Sequence, residues 1–402
     1  MLRKHRTLIP RLDRGPLRVL FAITSMPVGG AETLLINLLR RFDREQILPE
    51  LGCLKEPGPL GGAAAAVAPL HSGLIRGKYD LRVLDQLRKL VARQRIDAVI
   101  TVGAGDKMFW GRLAAWLEGV PVVLSALHST GWPDTIGFLN RRLTPVTDGF
   151  IAVADCHGRH LTERERFPEA KVHVIPNGVD TYRFRALPDS GLAVRKRLGI
   201  PRNAPVCGIV AALRIEKNHL LFLRAAALAK RQAADAHFLI VGDGPERGKL
   251  EQAAAELGLT KCVHFMGVRN DIPQLLAALD VFALTSHSEA NPVSILEAMA
   301  CEVPVVSTRV GSVAESIHEG KTGLLADTGD ADMLAKHWLT LFNDQSRAKR
   351  MGRNARRMIA DRWSLDAMVN GYQHLIQQVY DRKCPPVPTP TALHKQTASA
   401  TV

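Results

Sequence analysis

From Leu17 onward the chain alternates short apolar runs with segments whose apolar residues recur every three or four positions. The run LRVLFAIT at 17–24 reads as a buried strand, and AETLLINLLRRF behind it carries apolar residues at 34, 35, 38, 39 and 42, the stripe of a helix with one face in a core. DAVITVG at 97–103, PVVLSALH at 121–128 and GFIAVAD at 149–155 repeat the strand pattern. A second series follows from residue 205 with PVCGIVAAL, AHFLIVGDG, CVHFMG, DVFALTSH and VPVVST, each separated by helix-like segments. Strand, helix, strand repeated this way predicts parallel βαβ units, and two series predict an α/β chain of two doubly wound domains.

Between the series, Pro176, Asn177 and Gly178 make a turn, and Pro188 to Gly191 break any continuing element. These signals place a linker at 183–200, with one domain over 17–182 and the next over 183–361. Beyond residue 340 the strand pattern stops and helical stretches follow, the last being DAMVNGYQHLIQQVYDRK at 366–383. Flexible tails are expected at 1–16, a basic arm, and at 384–402, rich in Pro, Thr and Ala with little to bury.

Composition fits this picture: 402 residues, 46% apolar and 23% charged, suffice for two sizeable cores. No run approaches the roughly 18 to 20 apolar residues of a membrane span, and the basic start lacks the apolar stretch of a secretory signal, so a cytoplasmic location is expected. Six scattered cysteines with no C-x-x-C pair read as reduced and structural. The net charge of +14 suits nucleic acid, anionic lipid or anionic metabolites alike. Much of it lies in the N-terminal arm and in SRAKRMGRNARRM at 346–358, which lacks the interleaved aromatics of base stacking. Nucleic acid is therefore not an expected partner; a solvated helix face or contact with an anionic membrane is.

The segment SEANPVSILEAMA at 288–300 carries the most chemistry. With Asn291 as N-cap and Pro292 as first helical residue, Glu289 lies in the preceding loop and Glu297 about a turn and a half inside. A ligand combining hydroxyls with phosphate would meet acid, helix N–H groups and acid in succession, as a nucleotide sugar requires. The alternative is one capping-region Glu and one exposed helical Glu. In SMPVGGAETLL, Gly29 and Gly30 join the first strand to the first helix, either as a phosphate-approaching loop or as a tight turn. Arg214 and Lys217 in VAALRIEKNHLLFL stand where two cations can neutralise a leaving diphosphate, unless both are merely solvated. Gly242 in FLIVGDGP and His128 at the end of PVVLSALH admit a structural reading as readily as a functional one.

Taken together, these strand-end positions resemble the retaining glycosyltransferases of family four, with GT-B architecture, over about residues 18–383. The matching pieces are GGAE, His128, VIPNGVDTYRF, ALRIEKNH, VGDGP, F-x-G-x-x-x-D at 265–271, SEANPVSILEAMA, PVVSTRVGSVAE and a last helix. The resemblance implies two Rossmann-like domains facing across a cleft, with a crossover helix at 362–383 packing back on the first. It implies that Glu289 binds donor-sugar hydroxyls, Glu297 the ribose, and the amides of residues 291–294, the stretch Asn291, Pro292, Val293 and Ser294, the diphosphate beside Ala290. Lys217 and Arg214 would stabilise the leaving phosphate, Gly29 and Gly30 approach it from across the cleft beside Gly242, Val268 lie near the base, and His128 line the acceptor side. The chain departs from the family at Ala212, where an Arg is common, and at Ala290, where a Gly is. The implied activity is hexose transfer from a nucleotide-diphosphate sugar, UDP-linked, to a glycan or lipid-linked acceptor at the inner face of the cell membrane, with no metal and no further cofactor. The rival readings are another GT-B enzyme, an epimerase or phosphorylase, and an inactive scaffold binding anionic polymer or membrane.

Overall fold

The computed structural model describes residues 3–77, 80–128 and 137–385. Thirteen strands form two sheets among these residues. The first holds β1 (Leu17–Ile23), β2 (Ile47–Cys53), β3 (Leu70–His71), β4 (Ala98–Val102), β5 (Val122–Ala126), β6 (Gly149–Ala152) and β7 (Val172–Val174), in the order β3-β2-β1-β4-β5-β6-β7. The second holds β8 (Val206–Val210), β9 (His237–Val241), β10 (Val263–Gly267), β11 (Val281–Leu284), β12 (Val305–Thr308) and β13 (Gly323–Ala326), in the order β10-β9-β8-β11-β12-β13. Neighbouring strands run parallel throughout. Strand order therefore reverses between β1 and β4 in one sheet and between β8 and β11 in the other, and at such switch points the loops beyond the strand ends part and leave a crevice. The molecule has the GT-B architecture of two Rossmann-like domains.

Each sheet is buried because helices cover both faces, so its strands are apolar without alternation. Leu17, Val19, Phe21 and Ile100 are buried in the first core, and Ile209, Phe238, Ile240 and Phe282 in the second. The last helix, Leu365–Lys383, capped by Ser364, leaves the second domain and puts Met368, Tyr372, Ile376 and Val379 into the first core.

The chain crosses between domains at the turn Pro176 to Gly178, before the linker expected at 183–200. Val179 and Phe184 already pack in the second core, and Val179 exchanges backbone hydrogen bonds of 2.9 Å with Trp363 and Leu365. The outgoing and returning strands of chain thus run side by side at 178–180 and 363–365; a Cβ on Gly178 would lie 2.5 Å from the Ser364 carbonyl oxygen. The expected linker at 183–200 is instead part of the second domain, and Pro188 there opens the helix Pro188–Arg197 rather than ending one.

The expectation of a flexible arm at 1–16 is also corrected. Residues 3–16 lie along the first domain: Lys4 pairs with Glu118 at 2.6 Å, Arg14 with Asp97 at 2.5 Å and Arg11 with Asp381 at 3.1 Å, while Arg6 donates to the Ile96 carbonyl and Tyr380 to that of Ile9. A basic segment is held wherever its cations meet carboxylates that are themselves half-buried or buried, and here they do. Of the tail at 384–402, residues 386–402 lie outside the described residues. No helix among the described residues is long and apolar enough to cross a membrane.

Candidate active site

At the second switch point, the loop after β8 and the loop after β11 are stitched together. The Thr285 hydroxyl donates to the Asn218 carbonyl at 3.0 Å, and the His287 N–H to that of Glu216 at 2.9 Å. Asn218 holds a left-handed φ of +48° and caps the helix His219–Lys230, which turns the chain sharply and leaves Lys217 at the end of a short 3-10 turn. Lys217 Nζ consequently reaches Glu289 Oε1 at 2.7 Å, and the Ser286 hydroxyl donates to the same oxygen at 2.5 Å. The Glu289 side chain is 7% exposed, so its charge is compensated by Lys217 rather than by water.

Glu297 lies on the helix Val293–Ala300, half-buried, and burial lifts its carboxyl to about 7 against a weaker opposing pull from Arg183. It is not an exposed helical acid. Because its folded value exceeds the unfolded one, protonation favours the ligand-free fold below pH 4.5, and this contribution is lost as pH rises through about 7. The thermal midpoint of the wild type should therefore fall between pH 5 and pH 8 more than that of Glu297→Gln; parallel profiles for the two proteins would contradict the buried, neutral carboxyl.

The helix begins one residue later than the sequence suggests, with Pro292 at the N-cap position. Asn291 is not the cap: its Nδ2 donates to the Val153 carbonyl of the first domain at 2.8 Å, while its own carbonyl accepts from Asn177 Nδ2 at 3.0 Å. Ala290 and Ser294 are half-buried on either side of this turn.

The first domain closes on that helix start. A Cβ on Gly30 would lie 3.9 Å from Val293 Cβ, so the glycine loop after β1 touches the beginning of Val293–Ala300 across the cleft. Gly29, extended at φ −165°, precedes the helix Gly30–Arg41, and a Cβ there would sit 2.4 Å from Glu32 Oε2. Burial raises the Glu32 carboxyl, opposed by the nearby charges of Lys107 and Arg214. Lys107 is a cleft residue that sequence reasoning did not single out, and Glu32 one that it named only within GGAE, without a role. The available signals were an acid in the first turn after Gly-Gly and a lysine at the start of the helix Asp106–Leu117 behind β4.

Other positions are less closely joined. Arg214 is more than half exposed and stands 4.0 Å from Glu216, on the cleft side near Glu32. Gly242, at φ +138°, has a packing reason of its own, since a Cβ there would fall 2.0 Å from the Ala211 carbonyl oxygen. Val268 is 55% exposed just beyond β10, two strands from β8. His128 follows β5, one strand from the first switch point. Burial first, then the charges of His157 and Lys107, lower its imidazole to about 4, so it is neutral at physiological pH. Among the described residues, no group of three or more His, Cys, Asp or Glu is arranged to hold a metal ion.

Comparison with known proteins agrees with this arrangement. The family described as Glycosyltransferase Family 4 matches residues 28–183, and that described as Glycosyl transferases group 1 matches residues 192–358. The Escherichia coli UDP-Gal:alpha-D-GlcNAc-diphosphoundecaprenol alpha-1,3-galactosyltransferase is 29% identical over 371 residues, 87% of this chain and 94% of its own. A Mycolicibacterium smegmatis GDP-mannose-dependent alpha-(1-6)-phosphatidylinositol monomannoside mannosyltransferase is 33% identical over 293 residues, 70% of this chain and 76% of its own. Among solved structures, Anabaena HepE in complex with UDP superposes with a TM-score of 0.77 at 22% identity, covering 90% of this chain and 100% of that one.

Proposed function

This chain belongs to glycosyltransferase family 4, and from that membership we propose that it moves a hexose from UDP to a glycan or lipid-linked acceptor hydroxyl, with retention at the anomeric carbon. The observation that carries the reading is the half-buried Lys217–Glu289 pair, 2.7 Å apart, set beside a helix start that Gly30 approaches from the opposite domain. Acid, cation and helix N–H groups are thereby grouped as a sugar diphosphate demands.

In this reading Glu289 orients the donor-sugar hydroxyls and keeps Lys217 in place. Lys217 and Arg214 offset the charge that grows on the leaving phosphate. The N–H groups of the 291–294 turn and the glycines at 29 and 30 hold the diphosphate, with Glu297 on the ribose and Val268 near the base. Neutral His128 offers a lone pair or an N–H to the acceptor. The bond from C1 to the phosphate oxygen breaks while the acceptor oxygen bonds C1 on the same face. The acceptor proton passes to the departing phosphate oxygen, so no protein base is consumed. Glu289 is already engaged by Lys217 and Ser286, which favours a holding role over that of the nucleophile in a double displacement.

Names of relatives support a lipid-linked acceptor, and Lys349, Arg350, Arg353 and Arg357 stand exposed on the helix Gln345–Arg362, a face suited to anionic headgroups at the inner membrane surface. Arg356 of the same run is structural, donating to the carbonyls of Thr181, Phe184 and Ala300.

The test is a screen of UDP- and GDP-hexoses for thermal stabilisation, followed by turnover with the stabilising donor and polyprenyl-linked or phosphoinositide acceptors, with the product anomer read by NMR. Stabilisation by a UDP-hexose and an axial-to-axial product are expected. A product of inverted configuration removes the mechanism, and preference for a GDP-hexose removes the base assignment.

A further inference from the structure

The loop from β6 into the helix Asp155–Glu163 belongs to the first domain, yet the second domain grips it from two directions. From the donor-side turn, Asn291 Nδ2 donates to the Val153 carbonyl at 2.8 Å. From the helix Val313–Ser316, Glu315 Oε2 accepts the Asp155 N–H at 3.0 Å and Oε1 accepts the Cys156 N–H at 2.6 Å, with Arg159 3.3 Å away. Glu315 thus serves as the N-terminal cap of a helix in the other domain. That helix has no side-chain cap of its own, since Ala154 occupies its N-cap position. Asn177 in the interdomain crossing completes the contact by donating to the Asn291 carbonyl at 3.0 Å. Both asparagines are more than nine-tenths buried, so these bonds are made away from competing water.

We propose that Asn291 and Glu315 form a clasp that shuts the cleft, making the donor turn and the acceptor wall a single positioned unit. The clasped loop continues inward: the Val153 N–H donates to His157 Nδ1 at 3.3 Å, and His157 lies close enough to His128 to influence its charge. Movement of the 289–293 turn on donor binding is therefore transmitted through Asn291 and Val153 to the wall on which the acceptor would rest. Glu315 and Asn291 are positioning residues in this device. It rests on the donor site proposed above, but the shut state itself can be tested without any donor.

Glu315→Gln keeps the side-chain shape and removes the charge that makes the helix cap strong. Small-angle scattering of nucleotide-free full-length protein should give a larger radius of gyration for Glu315→Gln than for the wild type; superimposable curves would overturn the clasp. Cys156 supplies a local readout, because it is half-buried whereas the other five cysteines are buried. Alkylation of wild-type Cys156 by iodoacetamide should slow several-fold with saturating UDP, and Glu315→Gln should lose that protection while retaining UDP-induced thermal stabilisation. In turnover, Glu315→Gln should lower kcat by about tenfold, the loss of one charge-assisted bond, with donor KM changed less than threefold, and Glu315→Asp should recover part of it. Protection that persists in Glu315→Gln, or a loss confined to donor KM, counts against the clasp. If UDP neither stabilises nor protects the wild type, the donor reading fails, and the scattering comparison still decides the clasp.

Discussion

Glu289→Gln should release nucleoside diphosphate on the order of 10² to 10³ times more slowly than the wild type, the scale seen when one preorganised charged contact to a developing transition state is removed. The same substitution also strips Lys217 of its partner, so part of the loss could be trivial unfolding: breaking a half-buried ion pair from one side leaves a charge uncompensated. Lys217 is 25% exposed and can turn toward water, which limits that cost to about 1–3 kcal/mol. A double variant separates the two effects. Glu289→Gln with Lys217→Met removes both charges, so its thermal midpoint should return toward the wild-type value while turnover stays as low as in the worse single variant. Residues acting as one unit lose activity non-additively, so the double variant should not multiply the two single losses. Turnover within about tenfold of wild type in Glu289→Gln would detach this pair from the chemistry.

Nine of the thirteen strands are legible as apolar runs, because parallel strands buried on both faces need no alternation and stand out from the helical stripes between them. β2 is hidden by Pro49 and Glu50. Pro49 is tolerated because β3 pairs only with Leu51 and Gly52, leaving the strand an edge at the proline, and Glu50 is satisfied by Arg18 at 2.6 Å and His71 at 2.8 Å. β3 and β7, of two and three residues, are too short to carry a pattern. The candidate site shows the same division. Glu289, Lys217 and Gly30 lie in local motifs whose strand-end context can be read directly. Asn291 has the chemistry of a cap, but a proline at the following position and a carbonyl from the other domain give it a different partner. Ser286 lies only three residues before Glu289 and is reached by a local contact, whereas Glu315 acts through residues about 160 positions away, and no local pattern encodes such a pair.

Gly311 carries the other large expected effect. It sits in VGSVAE beyond β12 at φ +49°, and a Cβ there would lie 1.7 Å from the Glu289 carbonyl oxygen. Two costs are combined in Gly311→Ala: a left-handed conformation, about 1–2 kcal/mol for a residue with a Cβ, and a collision that only a backbone shift relieves. The second acts on function, because the atom struck belongs to the residue whose carboxylate holds Lys217. Neither neighbouring loop can absorb the shift freely, since Thr308 donates to the Ser286 carbonyl at 2.8 Å and Ser286 to the Glu289 carboxylate at 2.5 Å. A displacement of about 1 Å at a reacting group is enough for a roughly hundredfold loss of rate, and that is the loss expected. Gly329→Ala is the matched control. Gly329 has φ +89° with nothing within 4 Å of its prospective Cβ, so the backbone strain is kept and the collision is removed. Gly329→Ala should therefore lower the thermal midpoint while leaving turnover of the folded enzyme near wild type. If the two variants lose activity equally, the strain of a positive φ accounts for both, and the contact between Gly311 and Glu289 has no separate part in catalysis.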